Sequence, residues 1–309
     1  MNNDSILAAI MEVPAGPLAR EEGARLVEAY VAHYAESDAA RFTVLDVERP
    51  WHLWIQTNTL IVGQKDARLQ DEVGPFLLEL KSKKEGRRTK AGDFYKGEGP
   101  LDWLESISNG PQLGIYALHE SEITGADTIR IMVRCAVKSS PVLLWPENES
   151  DGIFLLNRAY LQHLRSALIV KAAQIRAART SGQVPWQWIG YHCLRMFGQE
   201  CKHYQSTCKV HLHPTRRQRG FNPEDPGFAA VKDALAERGW GEDKLQDPEL
   251  VILSASAYES YTRCFEMGRI EQDGLGARED SEALQVGSVF HGGVAQYHRD
   301  LQREQSIAK

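Results

Sequence analysis

The alternation of apolar and polar residues predicts two short strands close together in the first third of the chain. They cover residues 60–69 and 76–83, where apolar side chains recur at the two-residue period of a strand. The segment between them contains Gly74 and Pro75, which are typical of a turn. The two strands are therefore predicted to pair as a hairpin.

The remaining pattern predicts a mixture of helices and further strands. Strands are expected over residues 42–56 and 128–137. Helices are expected over residues 19–35, 111–119, 154–179, 229–238, 255–267 and 282–304. This mixture favours an α/β fold with a central mixed sheet flanked by helices.

Composition narrows the class of protein. The chain has 309 residues, 42% of them hydrophobic and 25% charged, which is ordinary for a soluble globular protein. No apolar run reaches membrane-spanning length and the first residues do not resemble a signal peptide, so we expect a cytoplasmic protein without membrane contact. The net charge of −6 argues against a general basic coat, so any DNA contact must come from local basic segments such as residues 81–90 and 213–220. The first segment supplies the candidate DNA-binding residues Lys83, Lys84, Arg87 and Arg88.

Three charged residues on the predicted hairpin suggest chemistry. Glu79 and Lys81 stand two residues apart and share one face of their strand, while Leu80 points into the core. Pairing of the two strands would bring Asp66 close to Glu79. Two carboxylates and an ammonium suit phosphodiester hydrolysis with Mg²⁺ or Mn²⁺, although the same pattern also occurs as a solvated cross-strand ion pair.

A further pair lies on the next predicted helix. Gln112 and Tyr116 are four residues apart and so share a helix face. Together with Asp66 and the Glu79-Leu80-Lys81 sequence, this order of motifs resembles the RecB-type branch of the PD-(D/E)XK nuclease superfamily. The resemblance implies a restriction-endonuclease-like fold, in which Gln112 and Tyr116 support the active site and contact nucleic acid.

The cysteines add a second match. The chain has five, and Cys193, Cys201 and Cys208 form a cluster. The odd number of cysteines and the lack of an export signal in the sequence argue against a disulfide framework. The resemblance implies a [4Fe–4S] cluster held by these three cysteines and Cys264. Zinc is the competing occupant, because a tetrahedral site could be completed by His192, His203, His211 or His213.

The order of the motifs departs from that family. Its members begin with an S-x-S segment, a cysteine helix and a G-x-x-x-H helix. Here the matching residues stand at the other end of the chain, as Ser254, Ser256, Cys264, Gly287 and His291. We interpret this as a circular permutation. A truncated tandem, in which a second copy begins after residue 250, is the alternative.

The resemblance assigns a role to each candidate. His291, Asp66, Glu79 and the Leu80 carbonyl would bind Mg²⁺ or Mn²⁺, and Lys81 would orient the attacking water. The predicted division is a nuclease core over residues 1–183, a small helical subdomain bearing the cysteines over 184–270, and over 271–309 a helix that carries His291 and packs back on the core.

These observations predict a DNA nuclease, most simply an exonuclease. Its substrate would be the ends of single- or double-stranded DNA. Its partner would be a helicase, a recombinase or a CRISPR-type protein. Two alternatives stay open: a catalytically silent DNA-binding module with the same fold, and a zinc-binding regulatory protein.

Overall fold

The computed structural model describes residues 3–84, 107, 110–146, 152–181, 226–258 and 282–308. The helices are α1 (Asn3–Glu12), α2 (Pro17–Arg41), α3 (Pro111–Thr124), α4 (Arg158–Ser181), α5 (Pro226–Glu237) and α6 (Glu282–Ile307), with a 3-10 helix at Glu242–Gln246. The strands are β1 (Thr43–Val47), β2 (Pro50–Gln56), β3 (Thr59–Gln64), β4 (Ala67–Asp71), β5 (Gly74–Lys84), β6 (Thr128–Lys138), β7 (Leu143–Trp145), β8 (Ile153–Asn157) and β9 (Val251–Leu253). The mixed sheets and their flanking helices confirm the predicted α/β class.

The chain divides into two compact units. The first comprises Met1–Arg49, Lys65–Arg158 and Glu279–Lys309. Its sheet has the strand order β1-β4-β5-β6-β7, and β8 also pairs with β6. The β5–β6 pair is parallel and its other pairs are antiparallel, so the sheet is mixed.

Helix α6 lies in the core of this first unit, between α2 and the sheet. Val289, Phe290 and Val294 of α6 are fully buried in the cluster that also contains Leu78 and Leu80 of β5. The backbone of α6 packs closely on a side chain of α2, because a Cβ atom added at Gly293 would lie only 2.6 Å from Val27 Cγ2. This close packing holds the face of α6 that carries His291 against the sheet.

A buried ion pair joins helix α2 to the sheet of this unit. Arg134 of β6 donates from both terminal guanidinium nitrogens to Asp38 of α2, at 2.9 and 2.8 Å, and both residues are almost completely buried. Arg134 also donates to Tyr30 Oη at 2.8 Å, and its guanidinium lies 3.8 Å from the centre of the Tyr34 ring. Tyr297 of α6 donates to Asp38 at 3.3 Å. The network therefore joins β6, α2 and α6.

The second unit comprises Pro50–Gln64 and Ala159–Arg278. Its three-stranded sheet pairs β2 with β3 in antiparallel fashion and β3 with β9 in parallel. Helix α5 packs on this sheet through an apolar cluster that includes Leu60, Val231 and Ile252. The arginines of α4 contribute polar contacts, such as Arg179 to the Leu250 carbonyl oxygen at 2.8 Å.

Three sequence predictions about elements were wrong in detail. Residues 60–69 form two strands of different sheets, β3 and β4, separated by Lys65 and Asp66. Residues 42–56 are likewise divided into β1 and β2, with Glu48 in the left-handed region at φ 47° between them. The predicted helix over residues 154–179 begins only at Arg158, because the preceding residues pair with β6 as β8.

Both predicted domain boundaries, near residues 183 and 270, lie outside the described residues. The division into three parts therefore stays a prediction. No helix in the described ranges combines the length and apolar character needed to cross a membrane.

We expect Gly293→Ala to lower the free energy of unfolding by about 1–3 kcal/mol, because the added methyl group must displace Val27. Gly287→Ala on the same helix is the matched control. Its Cβ would meet only Ser82 Oγ at 3.4 Å, so the better helix propensity of alanine should leave stability unchanged or raised by up to about 1 kcal/mol. Chemical denaturation of both variants measures the difference. Equal stability of the two would contradict the close packing of α2 and α6.

Candidate functional site

Strand β5 places two of the candidate residues on one face. Glu79 is 2% exposed, and its neighbour Leu80 points the other way into the apolar core, as the alternation predicted. Lys81 Nζ donates to Glu79 Oε1 across this shared face. β5 pairs with β4 on one side and with β6 on the other, so the Glu79–Lys81 pair lies on an interior strand of the sheet.

Asp66 reaches the same place from the link between β3 and β4. Its Oδ2 accepts a hydrogen bond from the Leu80 backbone N–H at 2.6 Å. Its Oδ1 lies 3.1 Å from Nδ1 of His291, which comes from α6. The backbone thus fixes one oxygen of Asp66, and the imidazole contacts the other.

Helix α3 supplies the remaining candidates. Gly110 in extended conformation precedes Pro111, which suits the first turn of a helix because proline has no N–H to satisfy. Gln112 accepts from Lys81 Nζ at 3.0 Å and donates to Glu79 Oε1 at 2.7 Å. Its amide nitrogen also lies 3.1 Å from Tyr116 Oη. The structure therefore brings Gln112 and Tyr116 together with the three charged residues of the hairpin.

The electrostatics of the two carboxylates differ. Burial and the nearby charge of Asp66 raise the pKa of Glu79 to about 7, despite the opposing effect of Lys81. Burial also acts to raise the pKa of Asp66, but His291, the Leu80 N–H and Lys81 outweigh it, and that pKa is lowered. Asp66 is therefore the permanent anion of the pair, and Glu79 titrates near neutral pH.

The two cationic groups keep their protons more firmly than usual. Burial acts to lower the pKa of Lys81, but attraction to Glu79 and their hydrogen bond overcome it, so that pKa is raised. Burial likewise opposes protonation of His291, and Asp66 reverses the effect, so the pKa of His291 is also raised. Lys81 is thus an ammonium at neutral pH, which makes it a donor and a positive charge rather than a base.

The donor set suits a hard divalent cation, since it combines two carboxylates, an imidazole and the backbone carbonyl of Leu80. Within the described ranges, however, no three His, Cys, Asp or Glu side chains stand in an arrangement that could hold a metal ion. Asp66 is engaged with His291 and Leu80, whereas Glu79 is engaged with Lys81 and Gln112. The described hydrogen bonds to Glu79 all reach Oε1, so binding through Oε2 would leave them in place.

Sequence reasoning missed a carboxylate beside this group. Glu48 lies in the turn after β1, and its backbone N–H donates to the Asp66 carbonyl oxygen at 2.9 Å. Its side chain pairs with Arg299 of α6 at 2.8 Å. Burial raises the pKa of Glu48, and the charge of Asp66 adds to that effect. The unusual backbone angle of Glu48 has no signal in the sequence.

Several candidates fall outside the described residues. These are the four proposed cluster ligands Cys193, Cys201, Cys208 and Cys264, and the basic residues Arg87 and Arg88. The side chain of Lys84 is also outside, whereas Lys83 lies on β5 opposite Val137. The choice between an iron–sulfur cluster and zinc is therefore untested. The fifth cysteine, Cys135, is buried in β6.

A second histidine of α6, His298, lies two turns after His291. It is 1% exposed, and burial together with the charge of Arg134 lowers its pKa to about 3. Its Nε2 lies 3.5 Å from Tyr30 Oη. His298 is therefore a neutral core residue, and His291 is the histidine that reaches the site.

Comparison with protein-family models, with curated proteins and with solved structures finds no match for this chain.

We expect the affinity for Mg²⁺ or Mn²⁺ to rise about tenfold between pH 6 and pH 8. Glu79, with a pKa of about 7, must lose its proton to bind a cation, and its ionised fraction grows about tenfold over that range. His291 has a raised pKa and adds to the same trend. Titration calorimetry at several pH values measures the affinity.

Glu242→Gln is the control, because this exposed carboxylate belongs to the second unit and pairs with Lys232. It should keep the pH dependence of the unmodified protein. A metal affinity that is the same at pH 6 and pH 8 would contradict the titration of Glu79.

Proposed function

We propose that the protein is a metal-dependent deoxyribonuclease of the RecB type, which hydrolyses phosphodiester bonds in DNA. One observation supports this most strongly: Asp66, Glu79, Lys81 and His291 meet in one largely buried group, although Asp66 and His291 are 225 residues apart in the chain. The hairpin pattern had selected Asp66, Glu79 and Lys81 for this chemistry, and the resemblance to the nuclease family had added His291. A chance ion pair on a sheet surface would not recruit a histidine and a glutamine from two separate helices.

The residues of the site have distinct tasks in this proposal. Lys81 Nζ donates to the attacking water and places a positive charge next to the phosphate, where negative charge develops. Gln112 accepts from Lys81 and donates to Glu79, so it fixes both side chains. Asp66, Glu79, His291 and the Leu80 carbonyl would hold a divalent cation once their side chains move around it, and the ion would supply Lewis acidity at the scissile phosphate.

The reaction that these residues serve is simple hydrolysis. The water loses a proton as its oxygen forms a bond to phosphorus, the bond from phosphorus to one sugar oxygen breaks, and that sugar oxygen takes up a proton, so that one water is added in total. Tyr116 lies beside Gln112 at the edge of the group, and burial raises its pKa. It therefore stays a neutral hydroxyl, suited to hydrogen bonding with the nucleic-acid strand.

We further propose that the fold is restriction-endonuclease-like and circularly permuted. A permutation requires the original junction to lie between neighbouring segments. Ser5 near the start of α1 donates a hydrogen bond to Asp300 near the end of α6. Gly16, just before α2, donates to Gln285 at the start of α6 at 2.9 Å. Helix α1 thus runs antiparallel to α6, and a short link could join the two, which supports the permutation.

The first test is cleavage of end-labelled single-stranded and double-stranded linear DNA, and of closed circular DNA, with Mg²⁺ or Mn²⁺. We expect cleavage that EDTA abolishes and that Lys81→Ala lowers at least about a hundredfold, since the variant loses the donor to the attacking water. Sparing of the circle would identify an exonuclease.

The control is Lys232→Ala, which removes an exposed lysine of the second unit and should keep full activity. If the folded, metal-loaded protein binds DNA without cleaving it, the catalytically silent module replaces the nuclease. Unchanged activity of Lys81→Ala would refute the role given to Lys81.

A further inference from the structure

Helix α3 carries a third polar residue in line with Gln112 and Tyr116. Glu120 follows them at the same four-residue interval, so all three share one helix face. Glu120 is 4% exposed, which is unusual for a carboxylate unless it is paired. Its position is therefore determined by its partners rather than by solvent.

Those partners stand on both sides of Asp66. Glu120 Oε2 accepts from Lys65 Nζ at 2.7 Å, and Glu120 Oε1 accepts from Arg68 Nε at 2.7 Å. Lys65 directly precedes Asp66 in the link between β3 and β4, and Arg68 is the second residue of β4. The Glu120 carboxylate thus binds one residue just before Asp66 and one residue two positions after it.

The side chain of Asp66 has contacts of its own, since its Oδ2 accepts from the Leu80 N–H at 2.6 Å and its Oδ1 lies 3.1 Å from His291 Nδ1. The backbone of the link is a separate matter, because Lys65 and Asp66 belong to neither strand. Glu48 bonds the Asp66 carbonyl, but that contact restrains only one backbone group. Lys65 is 8% exposed, and removing the negative charge opposite its buried ammonium would be costly. The link would then be expected to rearrange.

The same helix reaches the other carboxylate. At its first turn Gln112 donates to Glu79, and about 12 Å further along the axis Glu120 holds the Asp66 link. Helix α3 therefore connects the two strand segments that carry Asp66 and Glu79. The separation of those two carboxylates decides whether they can share one cation.

We propose that Glu120 is a positioning residue of the metal site, which sets Asp66 relative to Glu79 through its contacts with Lys65 and Arg68. This inference deepens the proposed function and depends on it. Glu120 touches neither the substrate nor the ion, so its effect should appear in metal affinity.

The test is calorimetric titration of the full-length protein with Mn²⁺, without DNA, together with thermal unfolding of the metal-free form. Glu120→Gln should weaken Mn²⁺ binding at least about tenfold, as is usual when a side chain that supports a metal ligand is lost. Arg68→Gln removes one of the two contacts at a partly exposed residue and should give a smaller loss in the same direction. This second variant provides the answer if Glu120→Gln does not fold.

Asp71→Asn is the matched control. Asp71 pairs with Arg130 at 2.5 Å in the same hairpin, but at the end remote from Asp66. This variant should lose thermal stability while keeping the Mn²⁺ affinity of the unmodified protein within about twofold. Glu120 is only structural if Glu120→Gln unfolds at a lower temperature yet binds Mn²⁺ normally. Arg68→Gln decides the same question where Glu120→Gln does not fold. Equal weakening of Mn²⁺ binding by Asp71→Asn would also make the role of Glu120 structural.

Because binding is measured without DNA, the two proposals can fail separately. Unmodified protein that binds Mn²⁺ but does not cleave DNA would refute the nuclease and still test Glu120. Unmodified protein that binds no Mn²⁺ would overturn both.

Discussion

The buried pair of Arg134 and Asp38 is the interaction on which the rest of the first unit depends. Both charges are removed from solvent and are bonded to each other and to neighbouring tyrosines, so loss of either partner would leave an uncompensated charge in the core. The pair fixes α2 on β6, and Tyr297 extends the network to α6. Two turns before that residue, α6 delivers His291 to Asp66. The position of a candidate ligand is thus set by a polar network deep in the core.

Around this core, the site collects side chains from segments that are distant in the chain. Asp66 comes from a link between two strands, Glu79 and Lys81 from an interior strand, and Gln112 and His291 from two helices. Burial raises the pKa of Glu79 and would disfavour two adjacent anions, yet Lys81 and His291 supply the compensating charges. A group that concentrates both signs of charge in a buried place is costly for folding, which argues for a chemical role.

Part of this arrangement could be predicted from sequence. The two-residue alternation was sufficient to place Glu79 and Lys81 on one face and Leu80 in the core. The division of residues 60–69 into β3 and β4 could not be predicted, because the break depends on which sheet each half joins. Residues 153–157 are ambiguous for another reason, since a short apolar run fits a strand and a helix equally. Glu120 had only its spacing from Tyr116 as a signal, and its partners are set by tertiary structure.

The most direct test of the central claim is a crystal structure of the protein with Mn²⁺, with diffraction data recorded at the manganese absorption edge. The account predicts an anomalous difference peak within about 2.5 Å of ligand atoms from Asp66, Glu79 and His291, with Lys81 still bonded to Gln112. A manganese ion bound elsewhere, or ordered carboxylates with no ion between them at saturating Mn²⁺, would contradict the assignment of this group as a metal-dependent active site.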